Sequence, residues 1–326
     1  MNEMNNVEVL ITDCDHENIM IEQGILDTAK KTFALRQCKT ESDLINECQS
    51  APVWINQYAP ITRNVIENCP NLKLVVRYGV GVNNVDLAAA TDHGVQVCNI
   101  PDYGTREVAD HALALMLSLT RKISLMNLAV KKGEWDYQKS IPIYRHSEQT
   151  IGIIGLGRIG TEFARRVLAL GCRVIVFDPD RSRKLTTDII DQVESVSFNQ
   201  LLAESDVISI HCPLDSAHNL IGKKELQTMK PSAYLINVSR GGIIDEEALN
   251  LALQNRWIAG AALDVSETEP IAKDSPLLAY ENFLCTPHMA WYSEQAAEEL
   301  KRKVAEESVR FLNGEPLHYP INNFKK

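Results

Sequence analysis

The sequence predicts an α/β protein built on parallel sheets, and two observations lead there. Apolar runs of about five to seven residues, rich in Val and Ile, alternate along the chain with longer amphipathic segments, the pattern of buried parallel strands joined by helices. With 326 residues and 45% hydrophobic content, the chain is also long enough for about two domains of ordinary size.

In the first part of the chain, strands are predicted at Val7–Thr12, Thr32–Arg36, Pro52–Asn56, Leu74–Tyr78 and Val95–Asn99. The helical stretches between them complete one small doubly wound unit. Ile100-Pro101 breaks this pattern, and Thr105 to Lys131 reads as one long helix, expected to bridge two domains, with little exposed polar face in its first half. Strand runs resume at Ile151–Gly155, Arg173–Asp178, Ser195–Phe198, Val207–His211, Ala233–Val238, Ala259–Asp264 and Phe283–Thr286, which predicts a larger sheet. Ser293 to Leu312 reads as another long helix, and the tail GEPLHYPINN is expected to return to the first domain.

Composition narrows the function. The formal charge of −10 argues against a nucleic-acid surface, which needs concentrated positive charge to displace counterions. Eight cysteines lie scattered without the paired spacings of zinc or redox motifs, so no metal is expected and the thiols are expected to be reduced core residues. The N-terminus has no basic region followed by a long apolar stretch, and no apolar run approaches the roughly 20 residues of a membrane span. A cytoplasmic protein is expected.

The stretch IGIIGLGRIGTEFARRVLALGCRVIVFDPD places Gly155, Gly157 and Gly160 in G-x-G-x-x-G spacing, after a strand run and before a helix pattern. The first glycine permits a tight turn, the second lets the backbone approach a pyrophosphate, and the third allows close helix packing. Arg158 and Ile159 are expected to supply amides at the helix start. Asp178 follows about 18 residues beyond Gly160, where a carboxylate can hydrogen-bond both ribose hydroxyls, and it would repel a 2′-phosphate. Pro179 removes a backbone donor that could have helped bind one. NAD rather than NADP is therefore the expected cofactor, although Arg181 and Arg183 are close by.

In an open parallel sheet, ligands gather beyond the carboxyl ends of the strands. Arg240 follows YLINVS, Glu269 lies in the loop after AGAALDV, and His288 follows FLCTP. Carbonyl reduction needs a positive group to hold a carboxylate and polarise the oxo group, which a guanidinium supplies. It also needs a proton donor near neutral pH, which imidazole supplies when a carboxylate fixes its tautomer. Arg240, Glu269 and His288 fit these roles in turn. Other histidines, such as His93, His111, His146, His211 and His218, lack both partners. The chain has neither a G-x-S-x-G elbow nor an HExxH zinc motif.

At GLGRIG, NVSRGGIIDEEAL, ALDVSETEP and TPHMAW the chain resembles the D-isomer-specific 2-hydroxyacid dehydrogenase family, over nearly its whole length and in the same order. NIPDYGTREVADHALALML and CTPHMAWYSEQA resemble its C-terminal binding protein-like branch. The resemblance implies a Rossmann NAD domain, residues 102–292, inserted into a smaller flavodoxin-like substrate domain, residues 1–101 plus 293–326. It implies that Tyr78, Gly79, Val80 and Gly81 form the substrate loop, with the amides of Val80 and Gly81 binding the carboxylate opposite Arg240. Trp291 would be near the oxo-acid pocket. Thr105 and Val108 would lie near nicotinamide, His211, Cys212, Pro213 and Leu214 near adenosine, Val238 and Ser239 in the cofactor site, and Asp264 near the carboxamide. The implied activity is NAD-dependent reduction of a small 2-oxo acid by a homodimer. A phosphoglycerate or hydroxypyruvate substrate and an NADH-sensing scaffold are the alternatives. Glu269 argues against formate oxidation, since formate enzymes of this superfamily usually carry glutamine there. Asn83, often acidic in the family, and Asp215, often threonine, depart from the pattern.

Overall fold

The computed structural model describes residues 7–178 and 188–323, apart from the side chain of Asp215. By its internal contacts the chain divides into two units, Met1–Gly104 with Ser293–Lys326, and Thr105–Tyr292.

The first unit runs β1 (Val9–Ile11), α1 (Met20–Thr28), β2 (Phe33–Leu35), α2 (Glu41–Glu47), β3 (Val53–Asn56), α3 (Arg63–Asn68), β4 (Leu74–Arg77), α4 (Leu87–Asp92) and β5 (Gln96–Cys98). Its sheet is parallel, in the order β2-β1-β3-β4-β5. The direction of winding reverses between β1 and β3, which opens a crevice at their carboxyl ends. Thr40 caps α2 in a capping box with Asp43, and Asp86 caps α4. The C-terminal helix Glu294–Leu312, capped by Ser293, packs on α1, β3 and β4, all within this unit. The tail then returns, with Ile321 N donating to Val97 O and Asn322 bonded to Gln96, Val97 and Thr91.

The second unit runs α5 (Thr105–Thr120), α6 (Ile123–Lys131), β6 (Thr150–Ile154), α7 (Arg158–Ala169), β7 (Arg173–Phe177), β8 (Glu194–Ser195), α8 (Phe198–Glu204), β9 (Val207–Ile210), α9 (Lys223–Thr228), β10 (Tyr234–Asn237), α10 (Glu246–Gln254), β11 (Gly260–Leu263) and β12 (Phe283–Cys285). The sheet is again parallel, in the order β12-β11-β10-β9-β6-β7-β8. The order reverses between β6 and β9, so the loops after these two strands adjoin. Apolar layers cover both faces, one including Ile208, Leu235 and Leu249, the other Ile153, Phe163 and Met116.

Two expected elements need correction. The helix predicted from Thr105 to Lys131 is two helices, because Lys122 takes a left-handed conformation (φ 54°) and donates its amide to Leu119 O. The strand predicted at Ser195–Phe198 ends at Ser195; the Ser197 hydroxyl accepts the Gln200 amide and starts α8 at Phe198. All eight thiols are free, seven of them buried. Among the described residues there is no cluster of metal-ligating side chains, and no single helix is long and apolar enough to cross a membrane.

Candidate active site

The glycine turn after β6 is built so that side chains cannot occupy it. Gly155 has φ +91°, and a Cβ there would lie 2.9 Å from Cys212 N and the His211 carbonyl. A Cβ on Gly160 would drive into the carbonyl oxygen of Gly155, which is why α7 can pack so closely against the turn. Gly157 caps α7 with no side chain bonded to the first-turn amides, so the N–H groups of Arg158 and Ile159 face outward at the positive end of the helix. Asp178, just past β7, accepts the Leu156 amide at 2.8 Å, which sets its carboxylate against the same turn. Pro179, Arg181 and Arg183 lie outside the described residues.

From the neighbouring strand β9, His211 bonds Ser209 Oγ through Nε2 at 2.8 Å and packs on Phe163. Burial pushes its pKa down to about 3, so the ring is neutral. Cys212 is buried beside the turn, Pro213 follows it, and the Ser239 hydroxyl donates to Ile210 O at 2.9 Å with Val238 buried next to it. Thr105 and Val108 occupy the first turn of α5. A dinucleotide fits this arrangement: a cradle that a Cβ would fill, an uncapped helix start for its pyrophosphate, and a carboxylate for its ribose.

The three residues that the sequence put forward for carbonyl reduction belong to the same unit. Arg240, Glu269 and His288 lie beyond the carboxyl ends of β10, β11 and β12. His288 Nδ1 is 2.7 Å from Glu269 Oε2, with both side chains about two-fifths exposed (41% and 40%). Burial would raise the Glu269 carboxyl. The hydrogen bond and charge of His288, the Ser266 amide and the charge of Arg240 outweigh it and hold the group below its ordinary range. Gly241 explains how the Arg240 loop reaches the Glu269 loop, since a Cβ there would drive into the Ser266 carbonyl. Glu246, at the start of α10, accepts Ser266 Oγ at 2.8 Å and the Glu267 amide at 2.7 Å.

His288 has φ +51°, a strained conformation for a side chain larger than glycine. Asp264 holds it there. The Asp264 carbonyl accepts the His288 amide at 2.8 Å. Its carboxylate takes Thr286 Oγ1 at 2.6 Å, the Met289 amide at 3.0 Å and the Ala290 amide at 2.9 Å. His111 Nε2 adds a bond to Thr286 Oγ1 at 3.0 Å. The family resemblance pointed Asp264 at a cofactor; its anchoring of the histidine loop, and the close approach at Gly241, escaped that reading because all the partners but the Thr286 hydroxyl are backbone groups. Trp291 is half-buried and edge-on to Tyr292.

In the first unit, the segment Tyr78–Gly81 follows β4. Tyr78 N donates to Asn56 O at 2.8 Å, Ile100 N to Gly79 O at 2.9 Å, and Asn99 Nδ2 to Val80 O at 2.7 Å. Gly79 sits at φ +134°, open to glycine alone. In the second unit a cavity of about 440 Å³ lies at the amino ends of the strands, opposite the ends that carry Arg240, Glu269 and His288, and is lined by Gln149, Tyr234, Ala259 and Asn282 among others.

Comparison with known proteins agrees with this chemistry. The family model described as D-isomer specific 2-hydroxyacid dehydrogenase, NAD binding domain, matches residues 113–290. The D-3-phosphoglycerate dehydrogenase of Archaeoglobus fulgidus is 38% identical over 307 residues, 93% of this chain, and the chain spans 58% of that protein's length. The glyoxylate reductase of Korarchaeum cryptofilum is 38% identical over 260 residues, 78% of each chain. Among solved structures, D-lactate dehydrogenase from Aquifex aeolicus, complexed with NAD and lactic acid, superposes with a TM-score of 0.86 at 29% identity, covering 94% of this chain and 96% of that one.

Proposed function

Since the chain belongs to the D-isomer specific 2-hydroxyacid dehydrogenase family, we propose that it interconverts a small 2-oxo acid and the D-2-hydroxy acid, with NAD(H) as cofactor. The observation that carries this reading is the 2.7 Å His288–Glu269 pair, under the charge of Arg240 and in the same unit as the glycine cradle.

Bound NADH would supply the hydride for carbon 2 of the substrate. With Nδ1 engaged by Glu269, His288 has Nε2 left to donate a proton to the oxo oxygen, or to take one back in the oxidising direction. Glu269, held ionised, stabilises the imidazolium and fixes its tautomer. Arg240 attracts the substrate carboxylate and polarises the carbonyl. Trp291, in the same unit, is assigned to the substrate side chain, and in the first unit the Tyr78–Gly81 segment is the candidate substrate loop.

The likeness to phosphoglycerate dehydrogenase favours a second reading, in which the 2-hydroxy acid carries a phosphate. One experiment tests both: loss of NADH absorbance against glyoxylate, hydroxypyruvate, phenylpyruvate, 4-methylthio-2-oxobutyrate and phosphohydroxypyruvate, with NADPH as control. Turnover of an unphosphorylated acid supports the first reading, and turnover of phosphohydroxypyruvate alone supports the second. NADH binding with no turnover of any of them moves the protein to an NADH-sensing scaffold. We also assign a cytoplasmic homodimer formed through the second unit. Exposed Ile123, Leu128, Trp135, Tyr137, Ile141 and Tyr144 support the dimer, as apolar surface gathered in one segment marks a contact face.

A further inference from the structure

A buried acid lies behind the Tyr78–Gly81 segment. Glu22 sits on α1 one turn before Leu26, and both are fully buried at 0% exposure. Its Oε1 accepts the Tyr78 hydroxyl at 2.7 Å, while Oε2 has no partner among the described residues. Burial raises the carboxyl, with the Tyr78 bond opposing, so the group is driven toward its neutral form. Burying a half-satisfied carboxyl is costly, and a leucine would fill the same helix face at lower cost. General packing therefore does not account for the acid; its one partner does.

That partner is the first residue of the candidate substrate loop. Tyr78 is 2% exposed, and the His16 ring meets its ring edge-on at 5.2 Å. The carbonyls of Gly79 and Val80 are taken by Ile100 N and Asn99 Nδ2. The amides of Val80 and Gly81 have no acceptor among the described residues. The segment is thus fastened by its side chain at one end and by its carbonyls in the middle, and two donors are left over.

We propose that Glu22 is a positioning residue for substrate-carboxylate recognition: by holding the Tyr78 hydroxyl it sets the direction of the Val80 and Gly81 amides, and through them the affinity for the 2-oxo acid. This inference rests on the reading of the chain as a 2-oxo acid reductase. Glu22 touches no reacting atom, so its signature is a split between constants.

The test compares the full chain with Tyr78→Phe, Glu22→Leu, the double variant and Glu22→Gln, each checked by thermal unfolding. In Tyr78→Phe and Glu22→Leu, KM for the oxo acid is expected to rise about tenfold, the worth of one well-placed hydrogen bond. Their kcat and KM for NADH should stay near wild type. The double variant should be no worse than either single one, and Glu22→Gln, which keeps a carbonyl for the Tyr78 hydroxyl, should restore the wild-type KM. An unchanged KM in folded Tyr78→Phe overturns the proposal, as does an equal loss in kcat and both KM values in every variant. If Glu22→Leu does not fold, Tyr78→Phe, which removes a single oxygen, decides alone. Wild-type protein with no turnover on any oxo acid overturns the parent reading and this one with it; turnover with flat KM values overturns this one only.

Discussion

Replacing Asp264 with asparagine isolates the support of the histidine loop. The side chain is 1% exposed and keeps its shape, but one carboxylate oxygen becomes an NH2 group. Turned one way, that group meets the Ala290 amide; turned the other, it meets Thr286 Oγ1 and the Met289 amide. Either way a donor faces a donor. Losing a hydrogen bond to a charged group costs about 1.5–3 kcal/mol, and the stranded N–H about 1–3 more. A total near 3 kcal/mol corresponds to a fall of about 6–12 °C in Tm for a domain of this size. The loop that holds His288 at φ +51° then relaxes, since that conformation costs about 1 kcal/mol unsupported. Displacing the ring by about 1 Å lowers kcat about 100-fold. Thr286→Val, which leaves both amides in place, should cost only about 1 kcal/mol. Thermal unfolding by circular dichroism and steady-state kinetics read both effects. A folded Asp264→Asn protein with wild-type Tm and kcat would refute the reasoning.

His288→Ala should lower kcat by about 10²–10⁴-fold, the usual contribution of a general acid, with NADH affinity nearly unchanged by fluorescence titration; near-normal turnover removes His288 from the reaction. Gly160→Ala forces α7 off the Gly155 carbonyl at about 1–3 kcal/mol, so NADH affinity should drop while the His288–Glu269 pair survives, and a dissociation constant equal to wild type contradicts the cradle. The His211 pKa is depressed to about 3, so between its ordinary value and that point the unfolded chain binds a proton that the folded chain does not. Stability must then rise with pH across this window and be lost as pH falls through it, by at most about 1.4 kcal/mol per pH unit. His211→Asn should flatten the dependence of Tm on pH from 6 to 4, on the order of two units, and an unaltered slope would mean the ring is not held neutral. Trp135→Glu should shift the protein toward monomer in light scattering; an unchanged mass excludes this residue from the contact.

The parallel strands could be read from sequence because each is a short, nearly continuous apolar run. Val207–Ile210 is buried at every position and was legible to within a residue or so. What failed was punctuation. The apolar period runs on from Leu119 through Ile123 and Met126, and nothing about a lysine announces the left-handed turn at Lys122 that divides the helix. At Ser195–Phe198 the β-branched and aromatic residues suggested a strand, but Ser197 satisfied a helix start instead. In the candidate site, the residues the sequence put forward were charged or ring side chains just past strand ends, of which the structure brings His288 and Glu269 to 2.7 Å. Not put forward were Glu22, Gly241 and the anchoring role of Asp264, because each acts on a segment distant in sequence through one hydroxyl or through the backbone.

The carboxyl groups of the two units differ in how fully they are satisfied, and this separates their roles. Asp13, 5% exposed, accepts Thr12 Oγ1, Asn56 Nδ2 and the amides of Gln57, Tyr58 and Ala59. Asp264 is likewise buried and fully engaged. Saturated in this way, a carboxylate serves as a fastener for the loops beyond its strand. Glu269 is open to solvent on one side and spends one oxygen on the His288 imidazole, the group that passes the proton in the proposed reaction. Glu22 is buried like the fasteners yet half-satisfied, a costly state found where its bonded partner, Tyr78, opens the candidate substrate loop. Cost without structural return is what directs attention to it, and the Tyr78→Phe kinetics measure what that cost supports.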